Sequence, residues 1–117
     1  MAKINIKVTL ISEDDIKEEN YHAIFQKEEE IITYQEQDQT ITKINKKGSK
    51  LRRENKELIM EFSFDEGKET LGKLHIKSLN KNLNLKVKTN KILKEENKLE
   101  IEYELENQKY TYKLEVI

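Results

Sequence analysis

This 117-residue chain has no cysteine, no proline and no tryptophan, and only three glycines. Without cysteine it can form no disulfide framework, thiolate nucleophile or cysteine-based zinc site. Without proline, and with so little glycine, it is not a flexible or polyproline linker. Histidine is limited to His22 and His75, far apart and in no metal-ligand spacing, so no metal site is expected and both read as ordinary surface or half-buried residues. No stretch approaches the ~20 apolar residues of a membrane-spanning helix. The opening Met1-Ala2-Lys3-Ile4-Asn5 has no continuous apolar segment of a secretory signal. These absences lead us to expect a soluble, cytoplasmic protein with no membrane partner. Arginine stands only at Arg52 and Arg53, while lysine, glutamate, asparagine and isoleucine crowd the chain, a bias we read as that of an AT-rich bacterial genome.

Hydrophobic residues make up 35% of the chain and charged residues 38%, a polar balance that raises the question of disorder. The net charge of only -1 argues against it. So does the arrangement of the apolar residues, which are patterned. Leu99, Ile101, Tyr103 and Leu105 are separated by Glu100, Glu102 and Glu104, and Tyr110, Tyr112, Leu114 and Val116 by Thr111, Lys113 and Glu115. Successive strand residues point to opposite faces, so each run gives one apolar and one charged face. The segment Glu106-Asn107-Gln108-Lys109 between them is short enough for a hairpin.

The same period recurs along the chain. Ile4, Ile6, Val8 and Leu10 alternate with polar residues, as do Leu58, Met60, Phe62 and Phe64, and Leu83, Leu85 and Val87. Shorter strands are expected at Ile31–Glu36, Thr40–Asn45 and Lys50–Arg53, and around Leu74 and Ile76 after Gly72. The clearest turns are Lys46-Lys47-Gly48-Ser49 and Asp65-Glu66-Gly67. Residues 12–30 are ambiguous. Ser12 followed by Glu13, Asp14 and Asp15 has the look of a helix start, but Asn20 and Lys27 interrupt any helical stripe. We read 12–19 as a loop and Tyr21–Gln26 as a strand, because Tyr, Ile and Phe favour pleated surfaces. The result is one all-β domain over residues 1–117, about eight to ten short antiparallel strands spaced as in a barrel or sandwich. Closure into a barrel is preferred because it removes exposed edges.

The order of these segments resembles the YwiB-like family of small bacterial proteins, a domain of unknown function with a calycin-like, lipocalin-like barrel. The likeness covers most of the chain and runs through five segments: Ile4–Val8, Tyr34-Gln35-Glu36, Arg53-Glu54-Asn55, Met60–Gly67 and Gly72. It continues through Leu85–Thr89 and Ile101–Leu105. The sequence departs from the family at Asn55 and in 78–81, where members carry glycine. The resemblance implies the barrel and no activity, and fold analogy alone is a weak warrant for ligand binding.

No enzyme is expected and no catalytic residue is assigned. There is no Gly-x-Ser-x-Gly elbow and no glycine-rich phosphate loop, and the glutamates at 100, 102 and 104 form a solvated stripe. No cofactor is expected either. Lysines flank the Gly48 turn and recur at Lys86, Lys88, Lys91 and Lys94, but acidic runs balance them, so nucleic-acid binding is not expected. Small barrels are either filled by side chains or hold one small ligand. The leading function is therefore small-molecule binding in the barrel mouth, with Tyr34, Glu36 and Arg53 orienting a polar end of the ligand. If Arg53 faces inward with Leu51, it needs a partner, and Glu36 is placed to be one. The blander reading is a rim ion pair with Tyr34 packed in the core. The alternative function is a non-catalytic interaction or structural module with a filled barrel, for which a homodimer is the partner to test. In that reading Ile11, Ile24, Ile31, Ile59 and Ile117, which break the polar faces, form an interface or cover a second small core.

Overall fold

Alternation becomes strand along nearly the whole chain. A computed structural model describes residues 1–117, and it contains ten β-strands and no helix. They are β1 (Ala2–Ile11), β2 (Ile16–Gln26), β3 (Ile31–Gln35), β4 (Ile41–Asn45), β5 (Lys50–Glu54), β6 (Leu58–Ser63), β7 (Glu69–Ile76), β8 (Lys81–Glu95), β9 (Lys98–Leu105) and β10 (Gln108–Val116). Each strand pairs antiparallel with its chain neighbours, and β1 also pairs with β10, so the meander closes into a barrel without a free edge.

Cross-strand partners share a face of the sheet, so the register shows which side chains point inward. One inner row runs from Ala23 to Tyr34, Thr42, Arg53, Met60, Leu74 and Leu83 across β2 to β8. Ile6, Ile44, Val87 and Ile101 are wholly inaccessible, and the buried apolar residues form one cluster, with no second core. Aromatic rings fill much of the middle. The Phe64 ring centroid lies 5.1 Å from that of Tyr103 and 6.2 Å from that of Phe62. Of the isoleucines on polar faces, Ile24 and Ile117 are exposed and Ile11, Ile31 and Ile59 are half-buried.

Two strands run further than the pattern indicates. β2 begins at Ile16, so the second half of 12–19 is strand and only 12–15 is loop. Residues 16–20 pair with Lys7–Ile11 through the backbone, but they extend past the core, where nothing requires an apolar face. β8 continues to Glu95 through a bulge between Thr89 and Lys91. The extra residue shifts the inward phase, so Thr89 and Ile92 rather than Thr89 and Lys91 occupy inner positions, and alternation is lost at that point.

With glycine scarce, other residues take left-handed conformations at turns. Glu106 and Asn107 both have positive φ, 49° and 69°, in the two-residue β9–β10 turn. That is the type I′ hairpin conformation, which favours glycine at its second position. Asn107→Gly is expected to raise stability by about 0.5 kcal/mol, read as a higher denaturant midpoint with an unchanged slope.

Candidate functional site

An up-and-down barrel sends alternate turns to opposite ends. Turns 12–15, 36–40, 55–57, 77–80 and 106–107 form one end, the mouth; turns 27–30, 46–49, 64–68 and 96–97 form the floor with both termini. Arg53 sits on β5 opposite Thr42, facing inward near the mouth. Its guanidinium grips Glu36, just beyond β3, with two hydrogen bonds: Nε donates to Oε2 at 3.0 Å and Nη2 to Oε1 at 2.9 Å. Thr42 Oγ1 also donates to Glu36 Oε2, at 2.7 Å. Such a bidentate fork fixes both side chains. The pair is half-buried, with side-chain exposures of 34% for Arg53 and 22% for Glu36, so water or a ligand can still reach it.

Tyr34 lies one layer deeper. It is 4% exposed, and its hydroxyl shares a 2.9 Å hydrogen bond with that of Tyr112 from β10, across the barrel. Burial pushes the Tyr34 phenol up to about 12, against the lowering effect of the Tyr112 hydrogen bond. Tyr112 is raised well above the ordinary range, first by burial and then by Tyr34. Tyr21 on β2 stacks on Tyr34 with ring centroids 4.9 Å apart and remains half-buried, so Tyr21 is the ring nearer to solvent. The structure therefore brings Glu36 and Arg53 into contact, with Tyr34 beneath them as support.

The electrostatics of the mouth are uneven. Burial raises the Tyr21 phenol first, and then Glu36, Glu19 and Asp38 raise it further while Arg53 alone opposes them. Hydrogen bonds from Thr40 hold the Asp38 carboxyl below its usual range. Three carboxylates and one guanidinium thus act on the Tyr21 hydroxyl, and of the three only Glu36 is in contact with Arg53. Around them, inward-facing Val8, Leu10, Met60, Leu85, Leu105 and Tyr110 are only partly buried, in contrast to the dry residues below. An open groove of about 750 Å³ runs outside the mouth along Asp38, Glu54, Asn55 and Lys77, but only Ile41 of its lining is apolar, and we read it as a solvated crease.

Thr42, Tyr112, Tyr21 and Glu19 were not singled out by sequence reasoning. Tyr112 carried a signal, since it lies on the apolar side of its alternating run; Thr42 carried none. The histidines lie apart from the site on the outer face: His22 Nδ1–H donates to Asn5 Oδ1 and His75 Nδ1–H to Asn82 Oδ1, each at 2.7 Å. No group of three or more metal-ligating side chains is placed to hold an ion.

No protein-family model matches the chain, and no curated protein does. A solved structure does. The crystal structure of the ywiB protein from Bacillus subtilis superposes with a TM-score of 0.66, covering 98% of this chain and 92% of that one at 20% identity. The fold is YwiB-like. At that identity the likeness concerns the fold alone. No helix is long and apolar enough to cross a membrane.

Proposed function

We propose that the barrel binds a small molecule at its mouth, without catalysis, in the cytoplasm of a bacterium. The ligand has an apolar body and a cationic end. The apolar body would rest on the partly buried inner residues around Leu10, Met60 and Leu85. The observation that carries the reading is the half-buried Arg53–Glu36 fork, set on the inner face above Tyr34 with more carboxylate than guanidinium around it. Glu36 is partly desolvated, where a carboxylate attracts a cation more strongly than in bulk water, and the exposed Glu19 and Asp38 add a longer-range, screened attraction. The Tyr21 ring adds a cation–π surface. The aromatic rings that fill the middle of the barrel support a shallow ligand held near the rim.

Octylamine and octanoate share a chain length and differ in the charge of the head. In an NMR titration at neutral pH, octylammonium is expected to move the amide signals of Tyr21, Glu36 and Arg53 saturably. The double variant Glu19→Gln/Asp38→Asn keeps the Arg53–Glu36 fork and should weaken octylammonium about tenfold. Equal or tighter binding of octanoate would overturn the cationic assignment, and no shift with either compound would overturn mouth binding.

A further inference from the structure

The floor of the barrel holds a second, separate pocket, of about 160 Å³. Its walls are inner-face residues from five strands: Ile4, Phe25, Ile32, Leu99, Leu114 and Val116. None of the mouth residues borders it. Polar groups appear only at its outer rim, on turns 27–30, 46–49 and 96–97 and at the start of β9.

Two lysines tie that rim together across the barrel. Lys46 Nζ donates to the backbone carbonyls of Glu95 and Glu96, the latter at 3.0 Å. Lys94 Nζ donates to the carbonyl of Lys47 at 3.1 Å in the opposite direction. Strands β4 and β5 are not neighbours of β8 and β9, so these are the contacts that draw the two turns together over the pocket. Neither lining lysine directs its charge inward. Lys46 is engaged by the carbonyls, and Lys98 Nζ lies 3.8 Å from Glu100 on the outer face. A ligand inside would therefore meet hydrocarbon and no free cation.

An apolar space of this size is poorly suited to water, which needs two to four polar partners. Engineered cavities of about 150 Å³ lined by Leu, Ile and Phe stay dry and take up benzene. We propose that the floor pocket binds a small uncharged apolar molecule of about benzene's size, and that the Lys46 strap controls its entry and exit. This is independent of the mouth reading and involves different residues.

The test is a methyl NMR titration of the full chain, labelled at Ile, Leu and Val, with benzene as probe. Saturable shifts are expected at Ile4, Ile32, Leu99, Leu114 and Val116, with Val8, Leu10 and Leu85 unmoved. Val116→Phe should fill the pocket from its rim and abolish those shifts, and its remaining signals would report that it is folded. Lys46→Met should speed benzene exchange at least fivefold. No saturation below benzene's aqueous solubility, shifts centred on the mouth methyls, or undiminished binding by Val116→Phe would each overturn the pocket. Unchanged exchange in Lys46→Met would overturn the strap.

Discussion

Raising the pH from about 10 to about 12 is expected to cost the barrel on the order of 5 kcal/mol of stability. Burial raises the phenols of both Tyr34 and Tyr103 from 10.0 to about 12. Below pH 10 each is protonated in the folded and unfolded chain alike, and the contribution to stability is complete. Between 10 and 12 the unfolded chain releases protons that the folded chain retains, so the unfolded state is favoured increasingly as pH rises. Each tyrosine then costs about 1.4 kcal/mol per pH unit. Tyr112, shifted upward as well, steepens the loss. The total rivals the whole stability of an ordinary domain. Denaturant unfolding at pH 9, 10, 11 and 12 checks this, and Tyr103→Phe should flatten the slope by one tyrosine's share. Equal stability at pH 9 and pH 12 would contradict the burial of these phenols.

Gly72→Ala is expected to destabilise by about 2 kcal/mol, and Gly72→Val by more. In a strand, alanine normally improves on glycine by roughly 0.5–1 kcal/mol, so the expected sign is opposite to the local preference. The reason is close packing. A Cβ at this position would lie 2.5 Å from Phe62 Cδ1, 2.8 Å from Cε1 and 3.3 Å from Val87 Cγ2. The Phe62 ring is 3% exposed and set against Phe64 and Tyr103, so it cannot swing clear without disturbing both. Phe62→Leu in the same chain should relieve part of the clash, giving a favourable coupling of about 1 kcal/mol in a double-mutant cycle. A Gly72→Ala variant as stable as the parent would show that the ring yields freely.

The strands at 99–105 and 110–116 were legible because their inner faces pack on the core from end to end, so burial writes period two directly into the residues. Where burial stops, so does the signal. The stretch 16–20 is held mainly by backbone pairing to β1, and its polar side chains look like a loop. The bulge at Asn90 hides the second half of β8 by changing the phase of alternation. The Arg53–Glu36 pair was legible by chemistry: an inward charge requires a partner, and Glu36 shares the face of Tyr34. The rest of the mouth depends on which strands meet around the barrel. Tyr34 and Tyr112 touch although 78 residues separate them. Glu19 adds its charge from a segment read as a loop. The meeting of Glu19, Glu36 and Asp38 around Tyr21, on which the proposed cationic head rests, depends on strand pairing that the sequence alone does not display.

Native mass spectrometry tests mouth binding most directly. The protein would be purified gently from a bacterial lysate and weighed under native and denaturing conditions, beside an Arg53→Met/Glu36→Leu variant. That double change removes both charges together and so leaves neither unpaired within the rim. The expected result is a small-molecule adduct on the parent chain that disappears on denaturation and is missing from the folded variant. A bare native mass for the parent, or an adduct that the variant retains in full, would contradict a ligand held by Arg53 and Glu36.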